Sequence, residues 1–364
     1  MQGSASKKQT FLTVSQFALI IFGSIVGVGI LSLPNGVVKE AHQDGWISTL
    51  IGGIYPLYVV IIASYISKNY PNDSILILSK KYFGKILGSV FNLIFATYFI
   101  FIASMIASYY TNLMRNYIVG FLTPFKILAI LFISVIYTVS RGLKVVGRIS
   151  EISFYYTIFL IMTTIVALRD ANMVNIEPVF GSGISSIING TIKSAFSYAG
   201  AEIILLIYPF LKEKNKILAS SLISVAIVIV IYVWCVFITT YYLGPDIVVK
   251  NYWSLLLVMG SVTVTVINNY KYIFMTFWSL IAFKSISING YASIHILKDF
   301  AGKIEMKKIY FLMYPLLVYL AIKFGNEISR QSISEHILPY YVIYNLLYMT
   351  SIALLIFFKG GAKA

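Results

Sequence analysis

Apolar residues in this chain run in long unbroken blocks, not at the spacing of an amphipathic helix or the alternation of a strand. Ten blocks are read, at residues 11–38, 47–66, 87–113, 123–140, 149–168, 184–210, 217–243, 264–292, 309–324 and 337–358. About 20 apolar residues cross the hydrocarbon core of a bilayer as a helix. Only helices and closed barrels satisfy their backbone polar groups in lipid. The pattern therefore predicts an all-α membrane protein with ten transmembrane helices. The fourth and ninth blocks are short, and the eighth opens on polar Asn268, Asn269 and Lys271. No connection is long enough for a soluble domain, so 1–364 is read as a single membrane domain. The first block lacks a small-residue cleavage motif and exceeds a secretory h-region, so it is read as retained.

Two blocks carry interruptions. In "GSIVGVGILSLP", Gly23–Pro34, glycines stand at 23, 27 and 29 ahead of the proline. Glycine costs about 1 kcal/mol in a helix interior and proline about 3. The sixth block, "SSIINGTIKSAFSYAGAEIILLIYPF", is interrupted at Gly190 and again by "YAGAE", and closes on Pro209. Blocks one and six open two five-helix halves, about 11–168 and 184–358. Five is odd, so the second half enters the membrane from the opposite side. Interrupted segments at matching positions of two inverted halves point to a transporter-type binding site. Gly23 and Gly27 also form G-x-x-x-G, a helix-packing motif, with Pro34 as a plain kink. The break in block six favours the ligand-binding reading.

A helix interrupted at mid-membrane exposes N–H groups at one new end and carbonyls at the other. The first suits a carboxylate and the second a cation. Two antiparallel broken helices therefore offer both ends to a zwitterionic amino acid. The carboxylate is expected near Gly27, Val28, Gly29 and Ile30, and the ammonium near Ser197 to Gly200.

Composition supports the class. Hydrophobic residues make up 59% and charged residues 11%, against about 45–50% and 25% in soluble domains. The net charge of +15 is topological. With alternating spans and a cytoplasmic N-terminus, eighteen basic residues fall inside and seven outside. Lys193, Lys271 and Lys284 lie within spans, which together account for all 28. Such asymmetry places both termini in the cytoplasm. The single Cys235 excludes an internal disulfide. His42, His295 and His336 lack metal-site spacing, and there is no P-loop, G-x-S-x-G or paired-carboxylate constellation. Neither an enzyme, a cofactor, a metal nor nucleic-acid binding is expected.

"FGSIVGVGILSLP" followed by "AFSYAGAE" resembles the first- and sixth-helix signatures of the amino acid–polyamine–organocation transporters, which have the LeuT-type 5+5 inverted repeat. The chain is more closely similar to the endospore germination permease family, the B subunits of spore germinant receptors. That resemblance rests on "VSQFALIIFGSIVGVGILSLP", "HQDGWIS" at 42–48, "SKNYPNDSI" at 67–75, "YFGKILG" at 82–88 and "YIFMTFWSLIAF" at 272–283. The family often has an acidic–basic pair leading into helix eight, where this chain has Asn269 and Tyr270. The resemblance implies a spore inner-membrane subunit that senses a nutrient, often an amino acid, with A and C partner subunits. A receptor, an amino-acid permease and a purely structural subunit stay open.

Three intramembrane charges stand out. Glu202 reads either as a ligand contact or gating latch beside the second break, or as a structural hydrogen-bond acceptor. A lone acid at mid-helix costs about 2.5–3.5 kcal/mol on insertion scales, so it needs a partner. Lys193 either snorkels to the outer interface or serves the substrate or Glu202. Lys284 lies fourteen residues before Lys298, about 21 Å along a helix. In the resembled fold this is the depth at which sodium-coupled relatives hold a cation. There Lys284 either replaces that ion on helix-one carbonyls or snorkels inward. Tyr98, Phe196, Ser197, Tyr198, Gly200 and Trp278 complete the expected site, walled by helices three and eight.

Overall fold

The computed structural model describes residues 11–261 and 270–359. Asn268 and Asn269, with the start of the eighth block, lie outside them. The described residues form sixteen α-helices joined by short 3₁₀ turns, with one isolated β-bridge. In chain order they are α1 Val14–Ile25, α2 Leu33–Ala41, α3 Gly45–Gly52, α4 Ile54–Asn69, α5 Ile75–Phe83, α6 Lys85–Tyr117, α7 Pro124–Ser140 and α8 Leu143–Thr163. After a long connection come α9 Ile184–Ser197, α10 Ile204–Ile207, α11 Ile217–Leu243, α12 Pro245–Lys250, α13 Ser254–Ser261, α14 Tyr270–Ala301, α15 Met306–Lys323 and α16 Glu327–Lys359. Among the described residues, six helical stretches are long and apolar enough to cross a membrane, or seven if the bent pair Ile184–Ser197 and Ala201–Phe210 is one span. The chain is thus all-helical with several membrane-length segments.

Each start and stop has a local cause. Thr13 and Gln16 form a reciprocal capping box at α1, satisfying two N–H groups that no helical carbonyl reaches. Pro34 does not kink a helix. It occupies the first turn of α2, where a missing N–H costs nothing. Gly84, Gly142 and Gly244 turn the chain between helices at positive φ, where other residues are strained.

α1 packs among α8, α11 and α14, while α14 runs along α6 and α16 closes on α4 and α6. α2 and α3 lie against α9. At one end of the bundle, the backbone of Leu12 donates to Phe210 O at 2.8 Å and its carbonyl accepts from Lys212 N at 3.3 Å. The start of α1 therefore meets the end of the α9–α10 segment, so the two run antiparallel. Lys80 and Asp299 pair at 2.7 Å at this same end. The opposite end carries the starts of α9 and α16; in from it, toward the second break, Lys193 meets Glu335 at 3.1 Å.

Candidate functional site

Helical backbone stops twice at mid-bundle. After Ile25, Val26 and Gly27 are extended, and a 3₁₀ turn over Val28–Leu31 leads into α2. After Ser197, the chain leaves helical geometry through Tyr198 and Ala199 to Gly200, at φ 122°. The two parts of that segment meet at 43°. The breaks face each other. A Cβ built on Gly200 would lie 2.5 Å from Ser24 O, so only glycine allows this approach.

Side chains take up most of the exposed backbone groups. Ser24 Oγ donates to Gly200 O at 2.8 Å. The Tyr232 hydroxyl, from α11, lies 2.9 Å from Ile25 O and 3.3 Å from Ser197 O. Ser285 Oγ sits 3.0 Å from both Gly23 O and Val26 O. Lys284, 1% exposed, donates to Val26 O at 2.8 Å, with its ammonium 5.7 Å from the Phe22 ring. Its buried amine thus rests against one carbonyl at the C-terminal end of α1, where a cation is favoured.

Glu202 is fully buried just beyond the second break. Its carboxylate accepts from Gly200 N at 2.7 Å, Tyr98 OH at 3.0 Å, Asn345 Nδ2 at 3.4 Å and the Tyr55 hydroxyl. Four donors from the second break, α4, α6 and α16 satisfy it without a cation. Lys193, the partner considered for it, instead pairs with Glu335 near the surface.

Between the breaks lies a cavity of about 190 Å³. Gly27, Gly29, Lys193, Phe196 and Ser197 line it. The N–H groups of Gly27 and Gly29 have no described acceptor, whereas Ile30 N turns back to Gly27 O at 3.5 Å. A Cβ on Gly29 would meet nothing within 4 Å, so that position opens onto free space. Val28 begins the 3₁₀ turn beside it.

The other expected residues are buried but outside the lining. Tyr98 is on the right helix one turn too deep: the α6 residues that reach the cavity are Ile102, Met105, Ile106 and Tyr109. Tyr198 donates to Thr49 O at 3.0 Å. Trp278 is stacked on Phe274 with ring centroids 5.3 Å apart. No described residue of α14 faces the cavity; α11 contributes Tyr232 and α16 contributes Gln331, Ser334, Glu335 and Leu338. The missed residues sit in apolar or peripheral sequence without a local motif. Only the helical spacing 102, 105, 106, 109 marks a common face.

Comparison with known proteins agrees with this architecture. MhsT, solved in complex with L-phenylalanine, superposes with a TM-score of 0.66, covering 100% of this chain and 91% of MhsT at 14% identity. At that identity the likeness concerns the fold. Spore germination protein A2 of Bacillus subtilis (strain 168) is 24% identical over 93% of this chain and 97% of its own length. GerQB of Bacillus cereus is 23% identical over 82% of each, and YndE of Bacillus subtilis (strain 168) is 23% identical over 78% and 79%. The family model described as "Spore germination protein" matches residues 11–329. That match spans most of the chain, which belongs to the spore germination protein family.

Proposed function

We propose that this chain is the nutrient-sensing membrane subunit of a spore germinant receptor, taking a small amino acid into the cavity between its two helix breaks. The observation that carries the reading is a small cavity lined by Gly27 and Gly29 of the first break and Ser197 of the second, with no acceptor described for the N–H groups of the two glycines. The ligand carboxylate binds those N–H groups, and its ammonium takes the carbonyls at the end of α9, near Ser197 and Ala199. A carbonyl oxygen has two lone pairs, so the Tyr232 contact does not preclude this. Phe196, Ile102 and Ile106 then surround the side chain.

In this reading the chain is one membrane domain of ten spans in a 5+5 inverted repeat, with α1–α2 and α9–α10 as its broken helices. Both termini face the cytoplasm of the spore inner membrane. Lys193 and Glu335 then lie on the outer side, and the Leu12–Phe210 contact closes the inner side. Lys284 is a resident cation in place of a bound sodium ion, so ligand binding is sodium-independent. Glu202 is a latch that holds the second break to its scaffold, while Tyr98, Tyr198, Gly200 and Trp278 support the site from behind. Ligand binding shifts the inner bundle against that scaffold, and A and C subunits receive the change. A complete switch from 1:99 to 99:1 needs about 10⁴-fold tighter binding to the favoured state.

The test is thermal stabilisation of the protein in proteoliposomes across an amino-acid panel, followed by counterflow of any radiolabelled hit. Saturable stabilisation that disappears in Gly29→Leu, without counterflow, supports the sensor. Clear counterflow makes the chain a permease. No response to any amino acid in the assembled receptor sinks the ligand assignment.

A further inference from the structure

Arg330, in the first turns of α16, is 0% exposed, and Nε, Nη1 and Nη2 have no hydrogen-bond partner. Its guanidinium lies 3.7 Å above the centroid of the Tyr109 ring. Tyr109 is stacked on Tyr252 and joined to it by a hydroxyl–hydroxyl hydrogen bond, and both rings line the cavity. Gln331 and Ser334 beside Arg330 line it too. The charge therefore sits directly behind one wall of the cavity.

Both acidic residues nearest to it along α16 are engaged elsewhere. Glu327 Oε1 accepts from Trp253 Nε1 at 2.6 Å and Asn116 Nδ2 at 3.3 Å. Glu335 Oε1 accepts from Lys193 at 3.1 Å and Gln331 at 3.2 Å. Among the described residues no carboxylate forms an ion pair with Arg330. Arginine cannot shed its proton inside a protein, so it cannot relieve burial by becoming neutral. A ring face attracts the cation but satisfies none of its five N–H donors. Buried charges without a partner are strongly disfavoured, and an unsatisfied group of this kind in a folded protein calls for an explanation, such as an ion, a ligand or ordered water.

We infer that Arg330 is the counter-charge of a small monovalent anion, held behind the Tyr109–Tyr252 pair at the cavity wall. The anion is either a halide or a carboxylate on a solute entering the cavity. Guanidinium matches both, as a point charge for the first and a two-pronged fork for the second. The carboxylate source rests on the amino-acid reading above, whereas the halide source is independent of it. In either case Tyr109 must tilt for the anion to reach the guanidinium, so occupancy and the outer wall move together.

The full-length protein in nanodiscs is melted in sodium isethionate, whose anion is large. Chloride then replaces isethionate at constant ionic strength, or L-glutamate or L-alanine is added. A saturable rise with chloride identifies a halide site. A rise with glutamate beyond that given by alanine identifies a solute carboxylate. Either rise must vanish in Arg330→Met and survive in part in Arg330→Lys. The inference is overturned if wild type shows no anion-dependent shift, or if the shift persists in Arg330→Met. A shift with alanine that is equal in wild type and Arg330→Met leaves the amino-acid reading standing while this one falls.

Discussion

The two helix breaks face each other but are stabilised by opposite means. At the first, exposed carbonyls at the end of α1 are covered by donors from α14 and α11, among them the Lys284 ammonium on Val26 O. At the second, an exposed N–H at Gly200 is covered by the carboxylate of Glu202, two residues along its own chain. A built-in cation serves one and a built-in anion the other, each at the end whose dipole favours that sign. The first break also opens onto space beside Gly29, while the second is packed solid at Gly200. One break is therefore shaped to receive, and the other to hold the two segments together.

The sharpest way to break this contrast is to place the same methyl group in each. Gly200→Ala meets Ser24 O at 2.5 Å at φ 122°. It should cost at least about 3 kcal/mol through clash and backbone strain, read as loss of folded protein on size exclusion in detergent. Gly29→Ala projects into open space and should change stability by less than about 1 kcal/mol. Comparable losses in both would show that the breaks are equally packed.

Next in size is the anion. Glu202→Gln keeps the shape but turns an NH₂ group toward donors such as Tyr98 OH and Gly200 N. A cost of about 2 kcal/mol is expected, measured by thermal unfolding. A double-mutant cycle with Tyr98→Phe should show coupling of about 0.5–3 kcal/mol; strict additivity would remove Tyr98 from the latch.

The cation at the first break gives a conditional effect. Lys284→Ala leaves Val26 O to the shared Ser285 hydroxyl alone and should cost about 1–3 kcal/mol. Sodium, but not choline, should restore part of the lost melting temperature in this variant, and wild type should be indifferent to the swap. A sodium-sensitive wild type would refute a resident ammonium at an ion position. The smallest effect belongs to the exposed Lys193–Glu335 pair. Glu335→Gln should cost no more than about 1 kcal/mol and do so only at low salt, as melting curves at two ionic strengths would report.

Much of the fold was legible because lipid leaves the backbone few choices. Uninterrupted apolar runs imply helices, and Gly200 supplies a φ other residues avoid, so its place in "YAGAE" carries its own cause. The resemblance implied that Lys284 lies against helix one, and its Nζ lies on Val26 O there. Contacts between distant segments were less accessible. Tyr98 was sought at the ligand and lies a turn away from the α6 residues that line the cavity, because the rotation and height of α6 are set by packing. The partner of Lys193 stands 142 residues away in a peripheral stretch of α16, and nothing near either residue announces the other. Tyr232 lies in a uniformly apolar helix where one more aromatic carries no signal.

That tyrosine has one proton and two claimants. Its hydroxyl can donate to Ile25 O or Ser197 O but not to both at once, since a phenol has a single donor. The single proton can therefore serve only one of the two breaks at a time. On the proposed reading, an amino acid whose ammonium settled on Ser197 O would end the contest, and Tyr232 would pass to the α1 side for as long as the guest stayed. A ligand lacking the ammonium leaves the dispute unresolved, however well it fits. Tyr232 would then count guests by what they donate, and Tyr232→Phe should blunt the preference between an amino acid and its deaminated analogue, read as the difference in their melting shifts.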